Sequence, residues 1–243
     1  MHHQYDLSLI LACYNEAEIF PDSVTSIIHV LDQTNWAYEI IFIDDKSTDN
    51  TVQLIKQIIR RYPRKHLSAF FHIHNQGRGK TVTEGFLKAR GKIVGYIDID
   101  LEIPAWYIPR LVEALDQHTD AAVARRVYDF NLQGFMRWVF SKGYAWLRQQ
   151  ILPLPVADTE AGYKFFTRSK ILPVVKTCQD NHWFWDTEIV ARALKANLKI
   201  IQIPVVFIRR RDKTSTVKIL PDTIDYLIKL LRYRHQLSLG SWN

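Results

Sequence analysis

The chain has 243 residues, 47% of them hydrophobic and 23% charged, which excludes a disordered or low-complexity protein and suits one sizeable globular domain. Its two cysteines, Cys13 and Cys178, make neither a disulfide framework nor a cysteine metal site, and no run of about 20 apolar residues offers a transmembrane helix. A net charge of +7 points to a polyanionic partner: a phosphorylated ligand, an anionic membrane surface or a nucleic acid.

The opening Met1-His-His-Gln-Tyr-Asp6 runs straight into Leu7–Ala12, so a strand is expected there and no signal peptide before it. The turn Tyr14-Asn15-Glu16 leads to a helix expected over Pro21–Leu31. Glu39–Ile43 reads as a second strand ending in Asp44-Asp45-Lys-Ser-Thr-Asp49, with Ser47 or Thr48 placed to cap a helix over Val52–Arg61. Leu67–Ile73 is a third strand, followed by Asn75-Gln-Gly77-Arg78-Gly79-Lys80 and a helix over Thr81–Ala89. Ile93–Ile97 is a fourth, ending in Asp98-Ile-Asp100-Leu-Glu102. Fully apolar strands alternating with helices argue an α/β protein, with a Rossmann-like, mostly parallel central sheet covered by helices on both faces. Ligands bind such sheets at the carboxyl ends of the strands, where all these polar clusters fall.

The second half is less regular. Helices are expected over Phe135–Ile151 and Thr187–Ala196, and strands over Lys164–Phe166 and Val205–Ile208. Pro221–Leu237 reads as an amphipathic helix, with Ile224, Leu227, Ile228 and Leu231 at helical spacing among Lys229, Arg232 and Arg234. No repeat or linker divides the chain, so one domain is expected.

Asp98 and Asp100 share one side of an extended backbone, and paired carboxylates favour a hard divalent cation shared with substrate phosphates. Asn75–Lys80 sets two glycines and two bases at a strand-to-helix junction, a phosphate-binding arrangement without P-loop or GxGxxG spacing. On the helix from Phe135, Arg137, Ser141, Tyr144 and Arg148 form one polar stripe among aromatic and aliphatic residues. That pattern suits a phosphate carrying a lipid tail. Arg209 to Lys218 holds five bases in ten residues but no RNA- or DNA-binding motif, so no nucleic-acid partner is expected.

Tyr14-Asn15-Glu16, Asp44-Asp45-Lys-Ser-Thr-Asp49, Asn75-Gln-Gly-Arg-Gly, Gly91 and Asp98-Ile-Asp-Leu-Glu-Ile-Pro104 stand in the order and spacing of family 2 glycosyltransferases. Within that family the chain most resembles the dolichyl- or polyprenyl-phosphate mannose and glucose synthases. The resemblance continues through Asp158-Thr-Glu-Ala-Gly162-Tyr-Lys164-Phe-Phe, Phe184-Trp-Asp186-Thr-Glu188 and Ser215-Thr-Val-Lys218. It implies a single GT-A domain over 1–243: a nucleotide-sugar half to residue 125 or so, an acceptor half to 220, then a basic helix and tail. It also implies metal-dependent, inverting transfer of a hexose from UDP-glucose or GDP-mannose to a polyprenyl or dolichyl phosphate. The expected place is the cytoplasm or the cytoplasmic face of a membrane, with the chain peripheral.

By position in that family, Tyr14, Glu16 and Asp44 or Asp45 hold the nucleobase and ribose, and Gly77-Arg78-Gly79 belongs to the donor site. Asp98 lies against ribose and metal, while Asp98, Asp100 and Glu102 bind Mg²⁺ or Mn²⁺. Arg209 or Arg211, with Lys218, contacts the diphosphate. Arg126, Arg137 and Ser141 hold the acceptor phosphate, and Asp100 and Arg137 carry the catalysis. Two departures from the family pattern are Ala12, where proline is usual, and Glu102, where many members have glutamine. With a hydroxyl acceptor instead, Asp186 or Glu188 becomes the candidate general base.

Overall fold

Along β1 (Tyr5–Cys13), Leu7, Leu9, Leu11 and Cys13 enter one apolar layer and Ile10 the other, the period-2 pattern of a strand buried on both faces. The structure is a computed structural model and describes residues 4–128, 149–210 and 219–238, with side chains from 225 to 235 in the last segment. The remaining strands are β2 (Tyr38–Asp44), β3 (His66–Phe71), β4 (Gly91–Ile97), β5 (Ala121–Tyr128), β6 (Tyr163–Thr167) and β7 (Ile200–Phe207). They form one sheet in the order β3-β2-β1-β4-β6-β5-β7. Parallel pairing joins β3, β2, β1 and β4, and joins β5 to β7, while β6 runs antiparallel between β4 and β5.

On the Leu7/Leu9/Leu11 face lie α1 (Phe20–Asp32), α2 (Thr51–Arg61) and α4 (Ile108–Glu113). On the Ile10 face lie α3 (Arg78–Lys88), α5 (Arg168–Val175) and α6 (Trp185–Lys195). The expected α/β architecture with helices on both faces is therefore present, and all four strands and three helices read in the first half occur. Three elements went unread. β5 begins Ala-Ala-Val-Ala, too weak a strand former to declare itself without its partners β6 and β7. α5 carries Pro173 inside it, and α4 is six residues long. The expected Ser47 or Thr48 cap of α2 does not form. The Ser47 hydroxyl instead accepts the Asn15 N–H at 2.9 Å, Thr48 donates to Asn15 Oδ1, and Asp49 receives the Thr51 N–H.

The last helix, α7 (Ile219–Ser238), docks on its own domain. Tyr226, Leu230 and Tyr233, at i, i+4 and i+7, are buried against Leu152, Phe184 and Ala191. The apolar set read from the sequence differs from this one: Ile228 and Leu231 are exposed. We expect Leu230→Ala to lower unfolding free energy by about 2–4 kcal/mol in urea titrations, as for other fully buried leucines. A helix held only by a membrane would show no such loss in detergent-free solution. No helix among the described residues is long and apolar enough to cross a membrane. Of the helix read over Phe135–Ile151 only residues 149–151 are described, and they are helical; Arg137, Ser141, Tyr144 and Arg148 lie outside the described residues, as do Arg211 and Lys218.

Candidate active site

The carboxyl ends of β1, β2 and β4 open onto one corner, and three of the four non-glycine residues with positive φ among the described residues sit in its loops: Asn15, Lys46 and Leu101. The loops after β1 and β2 are laced together. Besides the Asn15 contacts, the Glu16 N–H donates to Thr51 Oγ1 at 2.8 Å and the Ala17 N–H to Asp49 Oδ2 at 3.0 Å. Tyr14 stands exposed at the rim.

The two acids that end β2 differ in kind. Asp45 is spent on the loop after β3: its oxygens accept the N–H groups of Gln76 and Gly77 at 2.7 and 2.8 Å, and His72 Nδ1 lies 2.7 Å away. His72 in turn reaches Glu84 through Nε2. Asp44 uses one oxygen to accept the Ser47 N–H, and its buried Oδ1 has no hydrogen-bond partner among the described residues. An orphaned buried acceptor is costly, so this position suits a ligand N–H.

Gly77 and Gly79 have a packing reason for their lack of side chains. A Cβ on Gly77, whose φ is 92°, would strike Asn181 and His182, and one on Gly79 would strike Trp185. Between them Arg78 reaches inward. One guanidinium nitrogen donates to Asp98 at 2.5 Å and another to Asp186, and the group lies over the rings of Tyr96 and Trp183. Although burial opposes its charge, Asp186 and Asp98 raise Arg78 above the ordinary arginine range.

Asp186 is 3% exposed and fully engaged: it also accepts the Tyr96 hydroxyl and, at 2.8 Å, Lys164 Nζ. Burial pulls the Lys164 ammonium below the usual lysine range, against the pull of Asp186. Glu188 is equally occupied. It accepts the N–H groups of Gln179 and Asp180 and pairs with Arg192 at 2.7 Å. In this arrangement both acids are occupied by buried partners, and neither presents an open oxygen to the cavity.

Asp98, Asp100, Glu102, Arg126, Tyr163 and Phe207 line a cavity of about 60 Å³. Asp98 is half exposed, and Leu101, at φ 53°, turns the chain so that Asp100 Oδ1 accepts the Glu102 N–H at 3.2 Å. Burial and the neighbouring Asp100 push Glu102 above the ordinary glutamate range. Among the described residues no three His, Cys, Asp or Glu side chains converge closely enough to enclose a metal by themselves. Glu102 accepts the Arg210 N–H at 3.2 Å, and its carbonyl accepts the Ile208 N–H. A site with Asp98 and Asp100 as protein ligands, completed by phosphates, fits the chemistry of Mg²⁺.

Arg126 is fixed at this cavity by Asp158, which accepts Nε and NH2 at 2.8 and 2.9 Å and the Arg126 backbone N–H at 3.0 Å. Burial opposes the Asp158 charge, but Arg126 outweighs it and holds the carboxyl below the usual range. Gly162 closes the corner, since a Cβ there would overlap the Asp98 carboxylate and the Arg78 guanidinium. Gly162→Ala is expected to cost about 1–3 kcal/mol in thermal unfolding and to displace one of those two groups.

The structure thus gathers Tyr14, Glu16, Asp44, Arg78, Asp98, Asp100, Glu102 and Arg126 at the strand ends. Arg209 is exposed on the chain leaving β7. Its neighbour Arg210, which the sequence reading passed over within a run of three arginines, donates to the Asp100 carbonyl at 3.3 Å. Lys164 and Tyr96 were also missed as site residues. A lysine inside the apolar strand Tyr163–Thr167 was the available signal.

The model of the family described as "Glycosyl transferase family 2" matches residues 8–172. Glycosyltransferase AglD of Haloferax volcanii is 28% identical over 96% of this chain, which spans 38% of that protein's length. The dolichyl-phosphate beta-glucosyltransferase of Dictyostelium discoideum is 26% identical over 97% of this chain and 76% of its own. The fold resembles that of glucosyl-3-phosphoglycerate synthase from Mycobacterium tuberculosis, solved with Mn²⁺ and UDP. The TM-score is 0.65 at 16% identity, covering 95% of this chain and 80% of that one.

Proposed function

The chain belongs to glycosyltransferase family 2, and from that premise we propose that it transfers a hexose from a nucleoside diphosphate sugar to a polyprenyl phosphate, with inversion at the anomeric carbon. The observation that carries the donor half is Asp44 Oδ1, a buried acceptor without a partner among the described residues, at the same sheet end as the acid-lined cavity. An imide N–H of a nucleobase supplies the missing donor. Tyr14 and Glu16 then border the base and ribose, and Asp98 and Arg78 face the diphosphate. A divalent cation, Mg²⁺ or Mn²⁺, held by Asp98 and Asp100 with the donor phosphates, would offset the charge that develops on the leaving nucleoside diphosphate.

The acceptor half rests on the dolichyl-phosphate beta-glucosyltransferases among the relatives, at 25–27% identity, and on the surface around Arg126. On the same sheet face as Arg126, the rings of Tyr128 and Phe207 lie 5.9 and 5.8 Å from its guanidinium at the ends of β5 and β7, an apolar surface next to a fixed cation. Arg137 and Ser141 are assigned to the same phosphate. A polyprenyl phosphate is already anionic near neutral pH, its second pKa being about 6 as for phosphorylated side chains. It needs positioning and exclusion of water more than a base, in keeping with the engaged state of Asp186 and Glu188. The outer side of α7, with Ile228, Leu231 and Arg232 exposed, suits contact with an anionic membrane surface.

The test is a panel of UDP- and GDP-sugars with Mg²⁺ or Mn²⁺ against a short polyprenyl phosphate, following radiolabel into the lipid phase. Transfer giving an acid-labile product is expected. No transfer with any donor overturns the reading.

A further inference from the structure

Asp186 receives donors from three different elements: Arg78 of α3, Tyr96 of β4 and Lys164 of β6. Lys164 is completely buried and Asp186 nearly so. A buried ion pair gives little net stability over apolar residues of the same volume, so its presence calls for another reason. The geometry offers one. Arg78 is the only member of the cluster that also touches the exposed Asp98, and its planar guanidinium is braced by the rings of Tyr96 and Trp183, 5.6 and 5.8 Å from their centroids. Lys164 reaches the same acid by a second route. It donates to the Ala161 carbonyl at 2.5 Å, and the next carbonyl, Gly162, accepts the Asp98 N–H at 2.8 Å.

We infer that Lys164 and Tyr96 are positioning residues which, through Asp186, hold Arg78 at the floor of the donor site with one edge turned to Asp98 and the donor diphosphate. The inference rests on the donor reading above and adds to it the buried residues on which the arginine depends. Two cations and two carboxylates balance in the cluster. Replacing Lys164 and Asp186 together therefore keeps charge balance while removing the anchor.

Binding of UDP and of GDP with Mn²⁺, measured by calorimetry beside thermal unfolding, tests this. Tyr96→Phe keeps the edge-on ring contacts with Phe86 and Trp185 and loses only the hydroxyl. It is expected to unfold within a few degrees of the parent yet bind nucleotide about tenfold more weakly, the scale of one hydrogen bond to a charged group. The double variant Lys164→Met/Asp186→Asn is expected to regain most of the stability that either single change loses. Its nucleotide affinity should stay at least about tenfold below the parent, because Arg78 no longer has its buried partner. A purely structural cluster would restore binding along with stability. Parental affinity in the folded double variant, or in Tyr96→Phe, overturns the inference. If the double variant does not fold, Tyr96→Phe decides alone. If the parent protein binds neither nucleotide, the donor reading itself fails, and the inference with it.

Discussion

Asp100→Asn is expected to reduce sugar transfer by about 10²–10³-fold, the scale seen when one charge-stabilising group is removed from an active site. Thermal unfolding should stay within a few degrees of the parent. The residue sits at a strand-end turn lining the cavity, where its side chain accepts the Glu102 N–H, and an amide oxygen keeps that bond. What the substitution removes is one of the two negative charges proposed to hold a divalent cation. The loss should therefore grow as Mg²⁺ or Mn²⁺ is lowered. Initial rates against metal concentration, scored as label in the lipid phase, check this. Equal rates at all metal concentrations would remove Asp100 from the reaction.

Asp186→Asn is expected to fail differently, by destabilising the fold. Lys164, fully buried, and Arg78 would be left without their shared carboxylate, a loss of about 3–5 kcal/mol. For a chain of this size that is a fall in Tm of about 6–20 °C. Urea titration followed by circular dichroism measures it. A general base behaves in the opposite way: its amide variant folds normally and loses turnover. Unchanged stability with lost turnover would support the base role for Asp186 instead.

Much of the donor corner was legible because it is local. Each polar cluster follows directly after an apolar strand, so Tyr14, Asp44, Asp98 and Asp100 are placed at one sheet edge by strand direction alone. The second half was harder because its strands pair out of order. β6 is inserted antiparallel between β4 and β5, and β5 is a strand only by virtue of its neighbours. The tail helix was legible as amphipathic, but its buried side was not. Tyr226 and Tyr233 meet Phe184 and the hydroxyl of Thr187, contacts that no periodicity within the helix announces.

The sequence by itself determined the α/β class, the family and the carboxylate-rich strand ends, since these depend on residues adjacent in the chain. The tertiary structure decided which acids remain open to a ligand. Asp44 and Asp45 are neighbours in sequence, yet Asp45 is consumed by amides 31 and 32 residues away and Asp44 keeps a buried oxygen without a partner among the described residues. Asp186, a candidate base in sequence only for a hydroxyl acceptor, is met in the fold by Arg78, 108 residues earlier, and by Lys164. A carboxylate's chemistry is set by what neutralises it, and those partners come together only when the chain has folded.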